Sequence, residues 1–123
     1  MMKWLQSRIR SFGYAFEGIL SLFKSEPNAK IHLGAAILVV LLGICFKVNS
    51  YEWCILILCI CMVFSAEMIN TSIESLCDFY SKEKNQQIKK VKDIAAGAVL
   101  ITALSAIVAG TMIFWPYIRH FMI

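Results

Sequence analysis

A chain of 123 residues leaves room for a single domain. It is 59% hydrophobic and only 16% charged, against about 45–50% and about 25% in ordinary soluble domains. A soluble globule, a disordered chain and a secreted disulfide scaffold are therefore excluded, and the formal net charge of +4 reads as membrane topology and lipid contact, with no nucleic-acid surface implied.

In chain order, residues 3–24 place Trp4, Ile9, Phe12, Phe16, Ile19, Leu20 and Phe23 at three- and four-residue spacing. Lys3, Arg8, Arg10 and Lys24 interrupt that stripe, the pattern of an amphipathic helix lying in the membrane interface. Arg8, Arg10 and Glu17 also break any signal-peptide apolar run, and no small-x-small cleavage site follows. Ser25-Glu26-Pro27 ends this helix, and Pro27 suits the first turn of the next.

Three uncharged runs follow, at 31–46, 53–66 and 94–118. A spanning helix needs about 20 mostly apolar residues. The runs thus predict transmembrane helices over about 28–47, 52–79 and 92–118, the second reaching the required length only by continuing past Glu67. The connector KVNSYE makes the first two an antiparallel hairpin, and KEKNQQIKKVKD at 82–93 reads as a lysine-rich loop on anionic lipid. The expected architecture is all-α, one integral membrane domain over 1–123 with an interfacial helix and three spans. Cys45, Cys54, Cys59, Cys61 and Cys77 fall in or beside apolar stretches. Cys59 and Cys61, two apart on a helix, point to opposite sides and cannot share a metal, so all five are read as small apolar packing groups.

Charge asymmetry sets the orientation. Lys3, Arg8, Arg10, Lys24 and Lys30 precede the first span, and Lys82, Lys84, Lys89, Lys90 and Lys92 lie between the second and third, leaving only Lys47 and Arg119 of the 12 basic residues on the other face. By the positive-inside rule the N-terminus is cytoplasmic and the C-terminus outside.

The acidic residues number only 8, and their placement carries the chemistry. Glu67, Asn70, Thr71, Glu74 and Asp78 fall at i, i+3, i+4, i+7 and i+11, within roughly 60° of one line along a helix. A solvated helix end would scatter polar residues round its circumference, yet Met68, Ile69, Ile73, Leu76 and Phe79 fill the other sides. An intramembrane carboxylate is costly and marks function by default. Clustered acids with an amide suit a hard cation such as Mg²⁺, which bridges to phosphate, or removal of a hydroxyl proton. Lys92, at the mouth of the third span, adds the positive charge that a polyphosphate needs. Neither G-x-x-x-x-G-K-[ST] nor G-x-G-x-x-G is present. His32 and His120 do not pair, and His32 reads as an interfacial polar group.

Residues 67–78, EMINTSIESLCD, closely resemble the signature of the prokaryotic diacylglycerol kinase family, E-x-[LIVM]-N-[ST]-[SA]-[LIV]-E-x-x-V-D, with Cys77 where the pattern has valine. Gly13-Tyr14, Glu26, the three spans and Lys92-Asp93 extend the resemblance over nearly the whole chain. It implies a homotrimeric kinase of the bacterial inner (cytoplasmic) membrane, with sites shared between protomers, that moves the ATP γ-phosphoryl group to a lipid hydroxyl. It implies Glu67 as general base, Asn70 as an orienting group at the reaction centre, and Glu26 with Glu74 as the Mg²⁺ pair. It further implies Lys92 on the γ-phosphate, Tyr14, Asp78 and Asp93 at the nucleotide, and Arg8 or Arg10 holding the lipid substrate. The acceptor in such proteins is diacylglycerol or undecaprenol, and EPNAKIH at 26–32 resembles the E-x-N-x-x-I-H of the undecaprenol branch. The competing class is a small transporter that uses Glu67 as an ion- or proton-coupling carboxylate.

Overall fold

The computed structural model describes residues 2–81, 83 and 85–121; Lys82 and Lys84, used above for the charge bias, lie outside the described residues. Four helices make up the described chain: α1 (Met2–Ser25), α2 (Pro27–Cys45), α3 (Ser50–Tyr80) and α4 (Gln86–Phe121). Three of them, α2, α3 and α4, are long and apolar enough to cross a membrane.

Local chemistry explains most of the boundaries. Glu26 is extended (φ −102°, ψ 115°), and Pro27 opens α2 at a position where its missing N–H costs nothing. The α2–α3 connection is tighter than the six-residue connector predicts, because both flanking helices are capped by the connector itself. Lys47 takes a left-handed conformation (φ 52°). Its N–H donates to Ile44 O at 3.2 Å and that of Val48 to Gly43 O at 3.1 Å, a Schellman stop. Asn49 then opens α3 with a full capping box. Its side chain accepts from the Glu52 N–H at 3.1 Å, and its own N–H donates to Glu52 Oε2 at 2.8 Å.

The lysine-rich loop is shorter than expected for the same kind of reason. Asn85 Oδ1 accepts from the Gln87 N–H at 2.8 Å and starts α4 at Gln86, so Lys89, Lys90 and Lys92 sit on a helix. A run of lysines looks like solvated loop in composition, and the N-capping asparagine is the signal that outweighs it.

Tight packing gathers where the α2–α3 hairpin meets the end of α4. Val48, Leu56, Ile113 and Phe114 are buried there, ringed by Val39, Leu42, Phe46, Trp53 and Tyr117. A Cβ at Gly43 would lie 2.7 Å from the Trp53 ring, so only glycine lets α2 approach α3 this closely. Tyr117 Oη donates to Glu52 Oε2 at 2.7 Å, tying the end of α4 to the start of α3. Elsewhere α3 and α4 form by far the most extensive helix pair, while α2 touches α3 much less. An apolar cavity of about 580 Å³ opens between α2 and α4 over α3. Most large apolar side chains outside this hairpin-end cluster face outward, including Leu58, Met62 and Ile69 on α3, as expected where the surrounding solvent is hydrocarbon. Helix α1 is exposed along most of its length and is held at its C-terminal end by buried Leu22 and an edge-on Phe23–Phe64 contact at 5.5 Å.

Candidate functional site

Helix α3 is 31 residues long, about 46 Å at 1.5 Å per residue, against a hydrocarbon core of about 30 Å. Glu67 lies about 26 Å along it from Ser50, close to where such a core would end. The direction in which this residue faces depends on packing. Leu56, Val63, Glu67 and Asn70 are the buried residues of α3, and they recur along one side, so the acidic stripe continues the apolar contact face that binds α3 to its neighbours. Glu67 is only 1% exposed and is the largest fully buried side chain among the described residues; Asn70 is 7% exposed.

Around Glu67 the structure gathers residues from two helices. His32 on α2, Glu26 at the cap of α2 and Glu74 one turn pair further along α3 all lie within electrostatic reach of its carboxylate. Asn70 Nδ2 donates to Glu74 Oε1 at 3.2 Å, which aims the amide along the stripe. Asn70 Oδ1 and Thr71 Oγ1 are buried without a hydrogen-bond partner among the described residues. Orphaned buried acceptors are rare in folded proteins and call for a reason. By contrast, the hydroxyls of Thr102, Ser105 and Thr111 on α4 all donate to carbonyls of their own helix, at 2.9, 2.8 and 2.7 Å, and are thereby satisfied locally.

One step towards the helix ends, Lys92 Nζ of α4 donates to Asp78 Oδ1 of α3 at 2.8 Å, and Glu74 lies within its electrostatic reach. Lys89 pairs with Asp93 one turn away on α4, on the exposed surface. The structure therefore joins Glu26, Glu67, Asn70, Glu74, Lys92 and Asp78 in one region and leaves Asp93 at its edge. Arg8, Arg10 and Tyr14 stay on the exposed surface of α1, with Arg8 over the Trp4 ring at 5.6 Å. Among the described residues no hydrogen bond or ion pair links them to the cluster.

The five cysteines are free. Among the described residues no group of three or more histidines, cysteines or carboxylates is disposed to hold a metal by itself. A magnesium ion seldom needs such a cage, because it is usually bound through one or two carboxylates with the remaining positions taken by phosphate and water. The oxygen-only donors Glu26 and Glu74, the two like charges within reach of buried Glu67, and the unpartnered Asn70 oxygen fit a hard cation of that kind.

His32 is the residue that sequence reasoning set aside and the structure brings in. It lines the apolar cavity and lies within electrostatic reach of the Glu67 carboxylate. Its signal was present in the spacing, since buried Ala29 and Gly43 and half-buried Ala36 and Val39 share its side of α2.

Comparison with known proteins places the chain among characterised relatives. The sequence model for "Prokaryotic diacylglycerol kinase" matches residues 13–114. The chain is 36% identical over 107 residues to an undecaprenol kinase of Bacillus subtilis, covering 87% of each. It is 30% identical over 114 residues to a diacylglycerol kinase of Synechocystis, covering 92% of this chain and 65% of that protein. To the diacylglycerol kinase of Escherichia coli K12 it is 24% identical over 109 residues, covering 89% of both.

Proposed function

The chain belongs to the prokaryotic diacylglycerol kinase family and is a membrane lipid kinase; from that premise we propose that it transfers the γ-phosphoryl group of ATP to the hydroxyl of a membrane lipid alcohol, undecaprenol or diacylglycerol. The observation that carries this reading is the burial of Glu67 on the contact face of α3, in line with the hydrogen-bonded Asn70–Glu74 pair.

Glu67 acts as general base. As the acceptor oxygen attacks the γ-phosphorus, its proton passes to the Glu67 carboxylate, the new P–O bond forms, the bond to the β–γ bridging oxygen breaks, and ADP leaves. Lys92 meets the γ-phosphate, with Asp78 holding its ammonium beside Glu74. Glu26 and Glu74 would hold Mg²⁺, which supplies charge neutralisation on the phosphate oxygens, and Asn70 orients groups between that pair and Glu67. Tyr14 and Asp93 complete the nucleotide site, and Arg8 or Arg10 holds the lipid substrate. The apolar cavity receives the acceptor's hydrocarbon tail.

The α1 residues stand apart from Glu67 within one chain, and the outward faces of α2, α3 and α4 are apolar. Both features support a homotrimer in which protomers share sites and α1 lies in the interface with its apolar side towards lipid. The lysine distribution supports a cytoplasmic N-terminus and site and an outward C-terminus, in the inner membrane of a bacterium. The transporter reading is disfavoured by α4, whose Thr102, Ser105 and Thr111 hydroxyls all donate to its own backbone. A pathway needs unsatisfied polar groups through the full thickness of the membrane.

Purified protein in lipid, given Mg²⁺ and γ-labelled ATP with each alcohol in turn, is expected to label at least one of them. Absence of label in both, from a preparation that is folded by circular dichroism, would overturn the reading.

A further inference from the structure

One member of the polar stripe on α3 has no part in the chemistry above. Thr71 follows Glu67 by four residues on a continuous helix, so the two lie one above the other on the same side of it. The Thr71 Oγ1 is shut off from solvent and has no hydrogen-bond partner among the described residues. Other hydroxyls along the helices avoid that state by donating to the carbonyl one turn back. Ser72, the next residue, donates to Met68 O at 2.8 Å, and Thr111 donates to Ile107 O at 2.7 Å. The matching carbonyl for Thr71 is Glu67 O, and that bond is not made. Glu67, 1% exposed, is the complement: a buried carboxylate to which no hydrogen bond is made among the described residues.

A buried donor and a buried acceptor, both unpaired, thus sit one turn apart. Side chains on a helix lean towards its N-terminus, so Thr71 leans towards Glu67 rather than towards Glu74. Asn70, its neighbour in sequence, is about 100° away round the helix and does not face it. Glu74 is engaged by Asn70, whose Nδ2 donates to Glu74 Oε1 at 3.2 Å. That bond also shows that polar side chains four residues apart on this stretch come within hydrogen-bond range.

We infer that Thr71 is a positioning residue for Glu67: its O–H donates to one carboxylate oxygen as the site fills and turns the other oxygen towards the alcohol. The inference rests on the kinase reading above and deepens it. Catalytic hydrogen bonds are often long or misaligned in free enzymes and tighten in the loaded complex. The last torsion of a glutamate is broad, whereas a base must meet its proton at a defined angle and distance. One donated bond restricts that rotation and leaves the second oxygen free to take the alcohol proton. Thr71 touches neither the nucleotide nor the alcohol, so its loss slows transfer without weakening the binding of either. A buried polar atom without a partner calls for a reason, and the supply of this bond during turnover is the reason for Oγ1.

The test compares full-length Thr71→Val, which keeps the shape and loses the hydroxyl, with Thr71→Ser, which keeps the hydroxyl. Both are assayed in lipid with Mg²⁺-ATP and the alcohol that wild type labels. Thr71→Val is expected to lower kcat at least about fivefold, with KM for ATP and for the alcohol within about twofold of wild type. Thr71→Ser is expected to recover most of that loss. A smaller fall in kcat, a KM for ATP that rises in step with the loss, or a serine variant as slow as the valine variant would overturn the proposal. If Thr71→Val does not fold, Thr71→Ala is judged by the same outcomes. Infrared spectroscopy reads the contact without turnover. With undecaprenol or diacylglycerol present and no ATP, the difference between wild type and Glu67→Gln isolates the Glu67 carboxyl band. Thr71→Val is expected to shift that band and Thr71→Ser to return it, and an unshifted band in Thr71→Val would overturn the proposal. If the shift holds while wild type phosphorylates neither alcohol, the kinase reading falls and the hold of Thr71 on Glu67 stands. If an alcohol is labelled while the band stays in place, the kinase reading stands and Thr71 has no part in positioning its base.

Discussion

The two ends of the α2–α3–α4 unit solve opposite problems with the same helices. At the hairpin end, Val48, Leu56, Ile113 and Phe114 close an apolar cluster. The polar groups at its edge are paired, with Glu52 accepting from both the Asn49 N–H and Tyr117 Oη. At the acidic end a carboxylate is almost fully buried, with two more carboxylates in reach, and two buried oxygens have no partner among the described residues. Burying charge in this way is unfavourable unless it is compensated. The contrast separates what holds the helices together from what the helices hold in place, a division between rigid and reactive regions that is common in proteins.

Substitutions at the two ends should therefore separate activity from stability. The largest effect is expected from Glu67→Gln. Loss of a general base lowers kcat about 10²–10⁴-fold, while thermal stability holds or rises because a buried charge has been removed. A kcat near wild type, measured on the preferred alcohol, would remove Glu67 from the chemistry. Next, Glu74→Gln should raise the Mg²⁺ concentration needed for half-maximal rate about ten- to hundredfold; an unchanged Mg²⁺ titration would dissociate Glu74 from the metal.

The hairpin end should respond the other way round. Gly43→Val drives methyl groups into the Trp53 ring, where a Cβ alone already meets it at 2.7 Å, and overpacking of this kind costs about 1–3 kcal/mol. Denaturation in detergent should show that loss, with the specific activity of the folded fraction preserved. The smallest effect is expected from Tyr117→Phe, which removes one hydrogen bond to Glu52, worth about 1 kcal/mol at a half-exposed site. A drop in kcat/KM for either variant beyond the folded fraction would show that the two ends are coupled.

Particular residues show how far the sequence could be read. The apolar runs and the helix break at Pro27 were legible because length and proline chemistry act locally. The stripe from Glu67 to Asp78 was legible because the period of a helix is fixed. Legibility failed at Asn85, where one capping side chain turned an expected loop into the first turns of α4 and carried three lysines with it. It failed again at His32, because its place within electrostatic reach of Glu67 depends on how α2 packs on another helix.

From sequence alone came the membrane class, the three spans, the alignment of Glu67, Asn70 and Glu74 on one line, and the resemblance that the family match has since established. Only the tertiary structure decided which side of α3 faces inward, that the acidic line continues the buried one, and that His32 lines an apolar cavity within electrostatic reach of Glu67. The reason is physical. Periodicity states which residues share a face, but in a bilayer the lipid is as apolar as a neighbouring helix. Hydrophobicity therefore cannot say which apolar face is buried in protein, and the answer comes from close fits such as Gly43 against Trp53.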